Sequence, residues 1–318
     1  MAVPEPRRAS AAPAAGRAAL LIAFATVYLV WGSTYLAIRI AVGTIPPFVL
    51  ATVRFGLAGG GLFLYLRARG VPAPNRRQWG GAAVIGALLL AGGNGTVCWA
   101  EQWVPSSETA LFLATVPLWM TILPWRRGRA PHPAALVGVA IGLCGVATLV
   151  SAAPRGAVTT PDALLGGRLA LLLASLSWAV GSLWSRRLPL PEQPAMATAL
   201  EMLTASPLLA VAAHARGEWR AFHLDAVTRE GWFALGYLIV AGSLAGFGAY
   251  VYLLKHTSAA RASTYAFVNP LVAVLLGSLI AGEAIGLRTG IAALLIVGAV
   301  GAVLWGSGAR RQAPADLS

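Results

Sequence analysis

Ten apolar stretches, each close to the thickness of a bilayer's hydrocarbon core, divide this chain. They run over 18–42, 48–66, 79–100, 106–125, 133–151, 166–186, 194–213, 231–254, 260–281 and 288–306. A helix needs about 20 mostly apolar residues to cross a membrane. Lipid offers no partner to an unpaired backbone group, so such stretches span as helices that satisfy their own N–H and C=O groups. The connections are short and carry Pro, Gly or Arg, and the longest, Ala213 to Glu230, is polar. Charged residues make up 11% of the chain, against about 25% in a soluble domain. The expected fold class is an all-α polytopic membrane protein of ten transmembrane helices.

The formal charge of +13 would suggest nucleic acid in a soluble protein. Here the cations sort by side. With the N-terminus placed inside, the inner segments hold 16 of the 24 Lys and Arg residues, the outer ends and loops hold 7, and Arg54 lies within a span. That bias puts both termini in the cytoplasm. The arginines therefore mark cytoplasmic loops, and the expected partners are a small-molecule substrate and the lipid bilayer, with no nucleic acid. Residues 1–17 lack apolar periodicity and read as a disordered cytoplasmic tail, as do 307–318. Arg7-Arg8 could open a twin-arginine signal, but the apolar run that follows is a full span, so an uncleaved first helix is expected.

The chain also repeats itself. Trp31 and Trp178 stand 147 residues apart, as do Pro47 and Pro194. Beyond the long loop the offset becomes 153, for Gly93 and Gly246, Gly95 and Gly248, Pro117 and Pro270, Leu118 and Leu271, and Gly145 and Gly298. A constant offset with one insertion is what a duplicated unit leaves behind. The two units are 18–151 and 164–306, five helices each. An odd number of spans inverts the second copy, giving two repeats related by an axis in the membrane plane. Substrate then binds near the midplane between the copies, and the copies rock to alternate access.

The first span contains Tyr28-Leu29-Val30-Trp31-Gly32-Ser33-Thr34-Tyr35, and Ser177-Trp178 with Gly181-Ser182 partly repeats it. Trp31 sits near membrane depth, away from the headgroup level where tryptophans collect. The small and hydroxylated residues that follow suit a helix facing other helices or a wet cavity. Trp31 and Trp178 are candidate walls of a midplane cavity, with Ser33, Thr34 and Ser182 beside them; ordinary interhelical packing is the competing reading. Asn94, within Gly92-Gly93-Asn94-Gly95, offers a donor and an acceptor to substrate or to a neighbouring helix. Tyr250 and Tyr265 bring phenolic hydroxyls. Pro117 and Pro270 each remove a backbone hydrogen bond and are candidate hinges. The glycines of the fifth and tenth spans (Gly138, Gly142, Gly145; Gly290, Gly298, Gly301) read as packing faces, within the chain or in a possible homodimer.

At these residues the chain resembles the drug/metabolite transporter superfamily, most nearly the YedA-like branch of its EamA-type exporters. The resemblance rests on Val30-Trp31-Gly32-Ser33-Thr34-Tyr35, Val53-Arg54-Phe55, Gly93-Asn94-Gly95, Ala114-Thr115-Val116-Pro117-Leu118, Ser177-Trp178-Ala179, Ser263-Thr264-Tyr265-Ala266-Phe267-Val268-Asn269-Pro270-Leu271 and Gly282-Glu283. Singly these motifs are weak; their order and spacing over about 18–306 make them specific. The resemblance implies an inner-membrane exporter of amino acids or drug-like compounds and adds Asn269 to the candidate substrate contacts. Glu101-Gln102-Trp103 departs from the Glu-His that the family pattern leads one to expect.

Other chemistries lack their residues. The one lysine, Lys255, follows Tyr252-Leu253-Leu254 and not a glycine-rich turn, so no phosphate-cradling loop is present. The four histidines (His132, His214, His223, His256) lie in loops or at helix ends, and none pairs with Cys98 or Cys144 at ligand spacing. Neither metal nor cofactor is expected, and Ser33 and Ser182 lack a histidine at their depth for hydrolysis. The main reading is a secondary transporter and not an enzyme. An uncoupled facilitator, a membrane-embedded enzyme and a scaffold remain as alternatives.

Acidic residues are then the candidates for ion coupling. Glu101 and Glu108 flank the third loop and are expected to be solvated at the outer interface, and Glu283 to be structural. Glu201 alone lies well inside a span. Arg54 and Glu201 share the repeat offset of 147, each seven residues after its proline. An ionisable side chain in a span costs at least about 2.5–3.5 kcal/mol at the helix centre and faces a cavity or a partner. At 1.5 Å per residue, Arg54 lies about 9 Å from the outer surface and Glu201 about 10 Å from the inner one. In a core about 30 Å thick that separates them by on the order of 10 Å. Separate roles follow: Arg54 for an anionic substrate group, Glu201 for a substrate amine or a proton.

Overall fold

The computed structural model describes residues 16–125, 133–150, 160–257 and 264–312. Ten membrane-length helical stretches occur among them. They are α1 (Arg17–Ala41), α2 (Pro47–Ala68), α3 (Arg76–Ala100), α4 (106–125), α5 (Pro133–Val150), α6 (Pro161–Trp184), α7 (Pro194–Ala215), α8 (229–256), α9 (Tyr265–Ala281) and α10 (Leu287–Gln312). Seven of these are apolar over a full crossing length, and α5, α9 and α10 have shorter apolar cores. No strand occurs among the described residues.

Local chemistry sets the helix ends. Asn75 and Gln78 close a reciprocal capping box at the start of α3. Proline opens α2, α6 and α7, where its missing N–H costs nothing. α6 begins at Pro161, five residues earlier than its apolar run, because Thr160 caps Ala163 N and Asp162 lies in the first turn. α10 runs on to Gln312, past the tail boundary expected at 307. The expected start of α9 at 260, and the arginines at 126, 127, 129, 155 and 261, lie outside the described residues.

The two repeats interlock rather than standing side by side. The most extensive helix pairs, α5 with α10 and α2 with α7, each join one repeat to the other. The α2–α7 crossing shows the symmetry at atomic level. A Cβ on Gly59 would lie 2.7 Å from Met202 Cβ and 3.0 Å from Leu203 N, so only glycine permits this approach. Ser206 Oγ meets Gly56 from the other side and donates to Thr52 O at 3.0 Å. Under the offset of 147, Gly59 maps to Ser206, Gly56 to Leu203 and Thr52 to Ala199, whose carbonyl faces Gly59. The contacts map onto themselves, and the pseudo-two-fold axis passes between α2 and α7. Gly142 and Gly145 pack on Leu118, Ala299, Ile296 and Leu295, so the small residues of α5 meet α10 within the chain.

Helix alternation places Arg67, Arg69, Arg76, Arg77, Arg186 and Arg187 on one face, here the arginine-rich face. That face is expected to be cytoplasmic. Ala73 and Asp225 are exposed on the two opposite faces. Single cysteines there, with Cys98 and Cys144 replaced, test the orientation: an impermeant thiol reagent added outside is expected to label Asp225→Cys and spare Ala73→Cys. The reverse pattern inverts the topology.

Candidate functional site

Two helices depart from α geometry at matching places. α3 is π-helical over Ala87–Gly95, and α8 over Leu238–Ala245. A π turn widens the helix and loosens its hydrogen-bond ladder, a feature frequent at functional sites. In a membrane the loosened groups need other partners, and here the opposite repeat supplies them. Ser177 Oγ of α6 donates to Leu88 O at 2.8 Å. Trp31 Nε1 of α1 donates to Gly242 O at 3.2 Å.

The same two helices seat the tryptophans. A Cβ on Gly93 would lie 2.9 Å from Trp178 Cε3, and one on Gly246 would lie 2.8 Å from Trp31 Cδ1. Gly93 and Gly246 are repeat equivalents, and so are the tryptophans. Each repeat thus sets the tryptophan of its first helix onto the third helix of the other. Around Trp31 the second repeat adds an aromatic box. Phe247, Tyr250 and Tyr265 hold ring centroids 5.2, 5.2 and 5.1 Å from the indole. The Tyr265 ring meets both Trp31 and Tyr250 edge to face, the geometry that aromatic quadrupoles favour.

Arg54 of α2 enters beside this box. It is 4% exposed. Its Nε donates to Ser243 Oγ at 3.0 Å, and its guanidinium carbon lies 4.9 Å from the Phe55 ring centre. Its Nη1 has no hydrogen-bond partner, and no carboxylate among the described residues pairs with it. Gly242 is the junction: a Cβ there would lie 3.1 Å from Thr34 Cγ2 and 3.3 Å from Arg54 Nη2, and its carbonyl takes the Trp31 indole. Trp31, Thr34 and Arg54 therefore gather around one π segment, with Tyr250 and Tyr265 packed against the Trp31 ring. An unpaired buried cation beside an aromatic box can accept a carboxylate and bury its apolar part.

The other candidates are dispersed. Ser33 Oγ is satisfied by Leu29 O, Val30 O and Tyr237 OH. Asn94 follows Gly93, the seat of Trp178, and its half-buried side chain makes no hydrogen bond among the described residues. Ser182 is half-buried one turn beyond Trp178. Asn269 is 6% exposed with Oδ1 unpaired, and its carbonyl faces Gly32. The Glu201 side chain is half-buried and is not ion-paired to Arg54. Pro117 follows a break in α4 at Ala114–Thr115, whereas Pro270 lies inside unbroken α9. Two clefts, of about 340 Å³ at Arg229, Trp232, Phe233, Gly236 and Tyr237 and about 650 Å³ between residues 71–78 and 191–196, are lined by neither Trp31 nor Trp178. In this conformation the two indoles are engaged in packing.

At the face opposite the arginine-rich one, two expectations fail. Glu101 is fully buried, not solvated. Glu108 forms an ion pair with Arg168 at 2.8 Å, joining α4 to α6. Both helix ends pack into the bundle, so the short loop between them does not lift its carboxylates into water. Sequence reasoning also missed Ser175, Ser177 and Ser243. Ser175 Oγ receives Thr115 Oγ1 at 3.1 Å and Trp119 Nε1 at 2.9 Å. A serine beside a motif tryptophan was the one available signal, in Ser177-Trp178.

Ten helices in two inverted five-helix repeats, with paired π segments at mid-depth that each receive the other repeat's tryptophan, make this an inverted-repeat membrane transporter. The model of the EamA-like transporter family matches residues 18–151 and again 165–305, and the chain belongs to that family. It is 41% identical over 281 residues to the uncharacterized inner membrane transporter YedA of Escherichia coli (strain K12), covering 86% of this chain and 87% of that protein. It is 23% identical over 288 residues to a probable amino-acid metabolite efflux pump of Salmonella typhimurium (strain LT2), covering 86% of this chain and 90% of that protein. Among the solved structures it resembles is a crystal structure that matches with TM-score 0.60 at 25% identity, over 93% of this chain and 99% of the other.

The tryptophan seat has a direct test. Gly93→Val is expected to lower stability by about 1–3 kcal/mol, the usual cost of overpacking. In a Trp178→Ala background the same substitution is expected to cost much less, because the ring it meets is gone. Chemical unfolding of the four variants in detergent measures that coupling. Equal costs in both backgrounds would show that Gly93 does not seat the indole.

Proposed function

We propose that the chain is an inner-membrane secondary transporter that exports small amphipathic metabolites, amino acids among them, by alternating access, with both termini in the cytoplasm. The observation that carries this reading is the reciprocal seating of Trp31 and Trp178 on the π segments of α8 and α3. Each contact joins one repeat to the other, and the α2–α7 axis relates the two. A rocking motion about that axis would loosen one seat while tightening the other, which is what exposing a central site to each side in turn requires. Arg54 would receive the substrate carboxylate at its unpartnered Nη1, with the apolar part on the Trp31 box. Glu201 would meet an amine or a proton from the arginine-rich side. The names of the E. coli and Salmonella relatives support an inner-membrane location and an efflux direction.

Reconstituted flux tests this reading. Proteoliposomes loaded with a panel of amino acids and aromatic carboxylates are expected to lose substrate faster than empty-vector controls. Trp31→Ala, Trp178→Ala, Arg54→Leu and Glu201→Gln are each expected to slow flux at least about tenfold, the loss of about 1.4 kcal/mol of transition-state stabilisation. The exchange Arg54→Glu with Glu201→Arg is expected to stay inactive; its recovery would reveal a direct ion pair instead. A correctly inserted protein that moves nothing in the panel would sink the reading of amino acids and related amphipathic carboxylates as its substrates.

A further inference from the structure

Glu101 follows the last residue of α3 and is fully buried at the face opposite the arginine-rich one. Neither carboxylate oxygen has a hydrogen-bond partner. Four elements surround it. From α1, Arg39 donates to the main-chain carbonyl of Glu101 but makes no ion pair with the carboxylate, and Tyr35 lies alongside. From α3 itself comes the Cys98 thiol. From α4, Thr109 brings a fully buried hydroxyl beside the carboxylate. From the α9–α10 junction comes Glu283. The remaining nearby charge, Glu108, is held by Arg168 of α6.

The two facing carboxylates are treated in opposite ways. Glu283 accepts from Ser106 N at 2.8 Å, Ser106 Oγ at 2.8 Å and Ser107 N at 3.0 Å, at the N-terminus of α4. Glu101 has no backbone donors of this kind; the Arg39 guanidinium and the Thr109 hydroxyl favour its charge, but burial outweighs them, and a carboxylate so placed takes up a proton. Burial, with the Glu283 charge as the next cause, pushes the Glu101 carboxyl well above the ordinary carboxylate range.

We propose that Glu101 is a proton-binding site at this face, occupied when α1, α3, α4 and the α9–α10 junction close over it and emptied when they part. Closure takes one proton from the aqueous phase on that side, and opening returns it there. The step rests on the alternating-access reading, with this face outermost. An ionised Glu101 belongs to the open face, where water solvates it. Acid on that side therefore favours closure. A folded form with a raised carboxyl value is stabilised below that value and loses the stabilisation as pH rises through it.

Thiol labelling tests this without any substrate. Val104 is fully buried beside Glu101, against Gly167 of α6, so a cysteine there reacts only when this face opens. With Cys98 and Cys144 replaced, labelling of Val104→Cys is compared with that of Val104→Cys, Glu101→Gln, so that the reactivity of the thiol itself cancels. The open fraction in the Glu101 protein is expected to rise with pH by up to about tenfold per unit relative to the glutamine variant. The glutamine variant, a standing mimic of the protonated acid, is expected to remain closed throughout. Glu101→Met, apolar and of similar length, serves if the glutamine variant does not fold. Parallel pH profiles, or a dependence on sodium at fixed pH instead, would overturn the proposal. Absent flux with the expected labelling would count against the transport reading alone.

Discussion

A loosened backbone inside a membrane needs polar partners, and that need ties this molecule together. The π segments of α3 and α8 open their helices at mid-depth. Neither repeat closes its own. Ser177 and Trp31, each from the opposite repeat, supply the donors, and Gly93, inside one segment, and Gly246, directly after the other, receive the indoles of the same two helices. One polar requirement and one packing requirement are met by the same contact. The consequence is that neither repeat is complete alone.

The charges follow a different rule from the packing. Packing obeys the pseudo-two-fold closely, as the α2–α7 crossing shows. Charge breaks it. Glu218 accepts from Phe48 N and Val49 N at 2.8 and 3.2 Å and so caps α2 at the face opposite the arginine-rich one. Glu283 caps α4 at the same face. The Glu108–Arg168 pair joins α4 to α6 there as well. Carboxylates that close helix N-termini and link helices thus collect on one side, while the other carries arginines in its loops. The broken symmetry lets the two ends of one architecture respond differently to the same medium, although the two halves share a design.

Arg54 and Glu201 show how duplicated positions acquire different chemistry. Both stand seven residues after an N-terminal proline, on helices that cross at small residues. The crossing brings the backbones together but does not pair the charges. Arg54 points toward Gly242 and Ser243 of α8, where the absence of a side chain at Gly242 leaves the guanidinium space. Glu201 has no such neighbour. Its own carbonyl packs on Gly86 of α3 and accepts from Thr204 Oγ1 at 3.2 Å.

The sequence by itself determined the helices, their number and the duplication. Each of these is written in local or periodic terms: runs of apolar residues of bilayer length, prolines and caps at helix starts, and Trp, Pro and Gly at fixed offsets. It also singled out Trp31, Trp178, Arg54 and Asn94 as positions that lipid contact does not explain. Only the tertiary structure decided which tryptophan meets which glycine, since an offset relates equivalent residues and says nothing about what they touch across an inverted pair. Only the tertiary structure decided the fate of the carboxylates, too. Glu101 and Glu108 sit beside a short polar loop, and nothing local distinguishes them. One is buried without a donor and the other is paired with Arg168, because α1, α6 and the α9–α10 junction, distant in the chain, converge there. Burial and pairing depend on neighbours that only packing brings together, and for that reason they were not legible in the order of the residues.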